Sequence, residues 1–497
     1  MKAKKVQRQV KLSSPNDPAT PEALGQPDES ESEASSMANH KSRRSRWHRW
    51  LKVLLIVLLI GLVAAAAAWN LLKKAPADGI VQPSQPNPSS PFVPATGKVL
   101  QAEAPAQFTP EQVRAMVLQT NPRFDLPVQG AVTKQVFSYT SSDGQSDKVP
   151  VYARVYVPSP TSASNQLPVL AFGPGTTGLG DQCAASLENP AKRNWANYDS
   201  LMMSYASQGY VVVITDYEGM RDPARIQRYM VGDLEGRAVL DSVRALRNLE
   251  LSRDKLDNSR IFAGGYSQGG HAAYWADKIQ ATYAPDISLR GAIGFGPVTS
   301  VEQTWADTAG TANINWFGPF ILVAYGDWYR QIYPISDILQ ARWVGALKND
   351  ALRECIDTVN NYWPSNVGLN RSNTLYTPQF LQSLRSGDLK SNPKYRSLAW
   401  DLYQNIVGNS KSATPKLINQ GRYDNVILPS QSTTALRRYC TSGNNTYYRS
   451  YDQSPAAVNA FNPKGLVDHY TIMAASFRDT LAWMELAAKD QLGKNSC

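Results

Sequence analysis

Histidine is scarce in this chain. There are four in 497 residues, His40, His48, His271 and His469. The shortage matters because a hydroxyl nucleophile needs a base at neutral pH, and histidine is the usual one. Cysteine is as sparse: Cys183, Cys355, Cys440 and Cys497, with no C-x-x-C spacing. That argues against a zinc site and for two disulfides in an oxidising compartment; three pairings are open from the count alone. An excess of one charge is also lacking once the N-terminus is set aside. Residues 1–74 hold 13 basic and 6 acidic side chains, a net of +7, which leaves 38 basic and 35 acidic in the remainder, a net of +3. A nearly balanced body removes the electrostatic case for nucleic-acid binding. The glycine-rich run Gly173-Pro174-Gly175-Thr176-Thr177-Gly178 lacks the lysine and the G-x-x-x-x-G-K frame of a phosphate cradle. No metal or cofactor is expected.

Long apolar runs are rare too, with one exception. Residues 51–72 read LKVLLIVLLIGLVAAAAAWNLL, and from Val53 there is no charge for about twenty residues, enough to cross a bilayer as a helix. The basic stretch from His40 to Trp50 precedes it, which predicts a cytoplasmic N-terminus; Trp47, Trp50 and Trp69 suit the interfaces. Two rival readings are a long cleaved signal ending near Ala64–Ala68 and a loose twin-arginine signal at Ser42-Arg43-Arg44. The favoured reading is an uncleaved signal anchor with the body outside the cytoplasm, at the periplasm or cell surface; cleavage would make the body a secreted protein. Residues 1–50 are then a polar, disordered and basic tail, and residues 73–107, rich in Pro, Ser, Ala and Gln, a semi-extended linker.

The body alternates strand and helix patterns. Residues 109–119 suggest a short amphipathic helix. Residues 151–157, 167–172 and 210–214 read as strands, the last apolar throughout, as in a strand covered on both faces. Asp233 suggests an N-cap for a helix over residues 234–251. Residues 261–263, 291–295 and 416–419 are further strands, and residues 470–490 a closing helix. This is an α/β protein with a mostly parallel sheet covered on both faces, and its site is expected at the carboxyl ends of the strands. Residues 299–412 break the alternation. They hold Trp305, Trp316, Phe317, Phe320, Tyr325, Trp328, Tyr329, Tyr333 and Trp343, and read as an inserted cap. Most of these rings are expected to form the cap's own core, and a minority to line an apolar pocket.

The chemistry centres on Gly265-Tyr266-Ser267-Gln268-Gly269, which fits the nucleophile-elbow pattern G-x-S-x-G. A serine at the tip of a tight strand-to-helix turn is strained, and side chains two residues before and after it would collide, so both are glycine. The following helix aims its N-terminal N–H groups where an oxyanion would form. The base is expected to be His469, in Leu466-Val467-Asp468-His469-Tyr470, because His271 rides on the elbow helix itself and cannot easily face its own turn. The acid lies between serine and histidine in chain order, and Asp424 in Gly421-Arg422-Tyr423-Asp424 supplies it; Asp468 is too close to His469 for the two side chains to meet. The oxyanion donors are expected from the N–H of Gln268 and from the Gly173–Gly178 loop, where Thr176 and Thr177 remain alternatives.

Taken in order, Gly173-Pro174-Gly175-Thr176-Thr177-Gly178, Cys183-Ala184-Ala185-Ser186, Thr215-Asp216-Tyr217-Glu218-Gly219, Gly265-Tyr266-Ser267-Gln268-Gly269-Gly270, Gly421-Arg422-Tyr423-Asp424 with Pro429, and His469 resemble the secretory lipase family of α/β-hydrolases, the fungal lipase A type and its bacterial relatives. The likeness spans roughly residues 105–497. It implies an α/β-hydrolase domain over residues 108–497 with a helical cap at about 299–412, and a cofactor-free lipase or esterase acting on a small-molecule or lipid ester. It also implies the pairings Cys183–Cys355 and Cys440–Cys497. Two departures stand out: the tail, anchor and linker, and Phe172-Gly173 where many hydrolases of this fold have His-Gly. The expected reaction is ester hydrolysis through an acyl-enzyme, with Ser267, His469 and Asp424 as the triad. A peptidase or acyltransferase of the same fold, or an envelope binding protein without catalysis, are the alternatives.

Overall fold

The computed structural model describes residues 96–497 apart from 121–127, 146, 160–165, 190–194, 310–313 and 363–374. The expected membrane segment, residues 51–72, lies outside the described residues. Among the described residues no helix is long and apolar enough to cross a membrane.

One ten-stranded mixed sheet carries the body. Its strands are β1 (Val99–Ala102), β2 (Ala106–Phe108), β3 (Ala131–Ser142), β4 (Lys148–Ser159), β5 (Leu167–Gly173), β6 (Val211–Thr215), β7 (Leu256–Tyr266), β8 (Leu289–Phe295), β9 (Lys416–Gly421) and β10 (Thr446–Tyr451). The order is β1-β3-β4-β6-β5-β7-β8-β9-β10, with β2 also on β3. From β6 to β10 the neighbours are parallel, while β1, β2, β3 and β4 form an antiparallel flank. Parallel strands are covered on both sides and tend to read as near-continuous apolar runs. Val211-Val212-Val213-Ile214 shows it: alternate residues enter two different apolar clusters, Val211 and Val213 on one face, Val212 and Ile214 on the other.

The helices follow the strands: α1 (Pro110–Thr120), α2 (Tyr198–Ser207), α3 (Gly232–Leu246) and α4 (Gln268–Tyr283). The cap comprises α5 (Val301–Thr308), α6 (Phe317–Trp328), the short α7 (Ile335–Ile338), α8 (Ala341–Val344), α9 (Leu347–Arg353) and α10 (Ile356–Tyr362), then α11 (Pro378–Ser386) and α12 (Arg396–Gln404). After β9 come α13 (Pro429–Thr441), α14 (Ile472–Ala475) and α15 (Phe477–Ala488). The cap's rings form one apolar cluster together with body residues such as Tyr229, Leu234 and Ile427; in it Trp305, Trp316, Phe317, Phe320, Tyr325 and Tyr333 are buried, with Trp328, Tyr329 and Trp343 packed partly exposed against it. Trp305 and Phe380 hold their ring centroids 5.1 Å apart.

Several expected boundaries move. β1 falls inside the stretch whose composition reads as linker and β2 begins in it; they are edge strands with mostly exposed side chains, so they leave no hydrophobic alternation. The residue flanking α3 is Val231, not Asp233, whose carboxylate instead pairs with Arg237 one turn on, at 2.8 Å. That helix stops at Leu246 rather than reaching residue 251, and the closing helix is broken at Ser476, whose hydroxyl bonds the Ile472 carbonyl at 2.6 Å.

Candidate active site

The elbow strand β7 ends at Tyr266 and α4 begins at Gln268, which leaves Ser267 alone between them at φ 54°, ψ −113°. A non-glycine residue held there is strained, and neighbouring backbone must enforce it. Ser267 N–H donates to the Phe295 carbonyl at 3.0 Å, and the Ser267 carbonyl accepts from Val298 N–H at 3.1 Å. The flanking glycines are sterically required. A Cβ on Gly265 would lie 2.0 Å from the Gly269 carbonyl oxygen, and one on Gly269 would lie 1.7 Å from the Gly173 carbonyl oxygen. The close approach of Gly173 and Gly269 brings the loop after β5 against the start of α4.

Three of the expected residues meet. Ser267 Oγ is 3.0 Å from His469 Nε2, and His469 Nδ1 is 2.8 Å from Asp424 Oδ2. All three are buried, at 9, 4 and 3 % exposure, so the contacts are screened little by solvent. Asp424 follows β9. Its Oδ1 accepts from the N–H groups of Val426 and Ile427 at 2.9 and 2.8 Å, and its Oδ2 also accepts from Gln420 Nε2 at 3.2 Å. Those donors fix the carboxylate before the histidine reaches it. The imidazole is held on its faces as well: the Tyr266 ring lies 4.9 Å away centroid to centroid, and the Tyr470 ring 5.8 Å away, edge-on. Burial pushes the Tyr266 phenol well above its usual range, so it packs as a neutral ring. Gly296, at φ +50°, passes beneath this pair; a Cβ there would come within 3.0 Å of Asp424 Oδ2 and 3.1 Å of His469 Nδ1.

The expected oxyanion donors sit on two elements. Gln268 opens α4, so its N–H has no intrahelical acceptor. In the loop after β5, Gly175 N–H already donates to the Tyr198 hydroxyl at 2.6 Å. Thr176 is half-buried, with its hydroxyl 2.8 Å from the Tyr229 hydroxyl. Thr177 is buried and its carbonyl accepts from Ile356 N–H of the cap at 2.9 Å. The disulfides join Cys183 to Cys355 and Cys440 to Cys497. The remaining body histidine, His271, is wholly buried and faces away from the triad, with Nδ1 2.7 Å from Glu235 Oε2. Sequence reasoning missed Gln420, Tyr266 and Gly296 as supports of the triad. The only signal for them was adjacency to expected residues. Among the described residues no cluster of His, Cys, Asp and Glu could hold a metal ion.

Comparison with known proteins bears on the family and the fold. The family model described as secretory lipase matches residues 189–491. Curated relatives include lipase A of Moesziomyces aphidis, 29 % identical over 34 % of this chain and 36 % of that protein, and lipase 5 of Candida albicans, 27 % identical over 49 % of this chain and 50 % of that protein. The secreted triacylglycerol lipase LIP1 of Malassezia furfur is 24 % identical over 51 % of this chain and 49 % of that protein. The chain thus spans about half, or less, of these relatives' length. Among solved structures, the rice cell wall degrading esterase LipA of Xanthomonas oryzae superposes with a TM-score of 0.62 at 22 % identity, covering 80 % of this chain and 99 % of that one. Candida antarctica lipase A in its closed state gives 0.57 at 20 % identity, covering 81 and 84 %. These likenesses establish the α/β-hydrolase fold.

Proposed function

This chain belongs to the secretory lipase family, and from that membership and the Ser267–His469–Asp424 contacts we propose that it is a serine carboxylic-ester hydrolase, a lipase or esterase working through an acyl-enzyme. The observation that carries the reading is the unbroken path from Ser267 Oγ to His469 Nε2 and from His469 Nδ1 to Asp424 Oδ2, at 3.0 and 2.8 Å. Ser267 Oγ attacks the ester carbonyl carbon and its proton passes to His469 Nε2. The resulting oxyanion is met by the Gln268 N–H and by Thr176, which is less buried than Thr177. As the carbon–oxygen bond to the alcohol breaks, the imidazolium returns the proton to the leaving oxygen. Water then repeats the sequence on the acyl-enzyme and frees the acid. Asp424 holds Nδ1–H, which keeps Nε2 free to accept, and it stabilises the imidazolium once formed. The apolar, ring-rich cap supports an acyl chain over a peptide as the bound group.

We infer further that residues 51–72 anchor the chain in a membrane with this domain outside the cytoplasm. The apolar length, the basic flank and two disulfides support that placement. Resistance of the full chain to carbonate extraction, with the domain open to external protease on intact cells or on cells stripped of any outer envelope, is the expected result; extraction into the soluble fraction would refute the anchor.

Turnover of p-nitrophenyl esters from acetyl to palmitoyl, compared between wild type and Ser267→Ala, tests the enzyme reading. The expected result is hydrolysis by wild type alone. A folded wild-type protein inert on every chain length would overturn it.

A further inference from the structure

His271 has no part in the reaction just described, yet it is wholly buried directly beneath the elbow, on the same helix as Gln268. Its Nε2 lies 2.7 Å from the Asn405 carbonyl oxygen, and Trp275 Nε1 lies 3.0 Å from the same nitrogen. Its Nδ1 meets Glu235 Oε2 at 2.7 Å. The other carboxylate oxygen of Glu235 accepts from Gln268 Nε2 at 2.7 Å and from Met230 N–H at 2.9 Å. Glu235, Gln268 and His271 are at most 1 % exposed.

Asn405 lies just past α12, where the cap rejoins the body, and it bonds in both directions. Its side-chain oxygen accepts from Gly232 N–H at the start of α3, at 2.8 Å. Its amide nitrogen donates to the Tyr329 hydroxyl at 2.7 Å and to the Asp401 carbonyl at 2.8 Å, both in the cap segment.

We propose that Glu235 and His271 are positioning residues for the oxyanion donor: they grip Gln268 by its side chain and tie it to Asn405 at the root of the cap. The inference rests on the ester-hydrolase reading. The donor is the N–H of Gln268, and its direction depends on the peptide that joins it to the strained Ser267. Ser267 is fixed by its own backbone bonds to Phe295 and Val298. Gln268 has one side-chain polar anchor among the described residues, the charge-assisted bond to Glu235, because its Oε1 is buried without a hydrogen-bond partner there. Such a side chain is held from one end, and Glu235 is in turn held by His271. The chain Gln268–Glu235–His271–Asn405 therefore connects the donor to the cap without passing through the triad.

The test is steady-state hydrolysis of a p-nitrophenyl ester by the full chain and three variants: Gln268→Ala, Glu235→Ala, which removes the acceptor that glutamine would keep, and the double variant, with melting temperatures measured alongside. Gln268→Ala keeps the backbone donor and removes only the grip. The expected result is a kcat lower by about 10- to 100-fold in each single variant, with KM within about twofold, because the lost orientation is felt in the transition state. The double variant is expected to be no slower than the slower single, since both cut one path. Wild-type kcat in folded Gln268→Ala, or losses that multiply in the double variant, would overturn the proposal. Should Glu235→Ala fail to fold, Gln268→Ala alone decides. An active wild type with indifferent variants refutes only this role, whereas an inert wild type refutes the hydrolase reading and this inference with it.

Discussion

Cys183, in the loop beyond β5, is bonded to Cys355 in the cap, across 172 residues of chain. The contact is reinforced beside it: Gly178 forms a bridge with Cys355, and the Thr177 carbonyl accepts from Ile356 N–H at 2.9 Å. The loop proposed to supply the second oxyanion donor is thereby fastened to the cap. Cys440–Cys497 closes only 57 residues and lies between α13 and the C-terminus. Loop-closure entropy makes loss of the longer link costlier by about 1 kcal/mol, on top of about 2–5 kcal/mol for losing either. Cys183→Ser/Cys355→Ser is expected to melt lower than Cys440→Ser/Cys497→Ser and to lose turnover per folded molecule. Melting curves and active-site titration of both variants check it; the opposite order would refute the assignment.

Gly296 is the second place where a small change should reach the chemistry. Its φ of +50° already disfavours any side chain, and the added methyl of Gly296→Ala would press on Asp424 Oδ2 and His469 Nδ1. Stability should fall by about 1 kcal/mol from the backbone alone. Because sub-ångström misplacement of a base is amplified in rate, kcat should fall by about tenfold or more. A variant with lowered melting temperature and unchanged kcat would show that the pair tolerates displacement.

Much of this was legible in the sequence, for identifiable reasons. The parallel strands announce themselves because burial on both faces demands apolar runs such as Val211-Val212-Val213-Ile214. The residues that meet at Ser267 were legible because Gly265 and Gly269 have no steric alternative and because only one histidine was free to face the serine. Of the antiparallel flank only β4 was, read at residues 151–157; β1, β2 and β3 were not. β3 carries Thr133, Lys134, Gln135, Ser138, Thr140, Ser141 and Ser142, and its polar groups are met by distant partners, as Ser141 is by Asp241 at 2.8 Å. Glu235 and His271 each read as ordinary helix residues; their pairing depends on how α3 packs against α4, which no local pattern encodes.

Asp424→Asn isolates the electrostatic role of the acid. The side-chain oxygen of asparagine can still accept from Val426 and Ile427 N–H, so the turn after β9 should hold. The amide nitrogen then faces His469 Nδ1 and donates to it, which forces the proton onto Nε2 and leaves nothing there to accept from Ser267 Oγ. A fall in kcat of about 10³- to 10⁴-fold is expected, with little change in melting temperature. Retention of more than about a tenth of wild-type kcat would be incompatible with Asp424 as the acid.

Glu218 gives the protein a pH dependence of stability whose sign can be worked out. It is buried just beyond β6, with Arg225 Nη1 3.2 Å from Oε1 and Arg228 Nε 3.3 Å from Oε2. Both arginines favour the carboxylate, but burial outweighs them and pushes the carboxyl up from 4.5 to about 7. A folded value above the unfolded one means that the native state holds its proton when the unfolded chain has released it. The resulting stabilisation is full below about pH 4.5 and is lost as the pH rises through about 7. Asp401, lifted by burial to about 6 and bonded by the Tyr333 hydroxyl at 2.7 Å, acts with the same sign in a slightly lower window. Between pH 4.5 and 7.5, unfolding free energy from urea titrations should fall more steeply in wild type than in Glu218→Gln, by about 3 kcal/mol from this group. Parallel pH profiles would mean that Arg225 and Arg228 offset the burial, and a wild-type profile that rises relative to Glu218→Gln would mean that they overcome it.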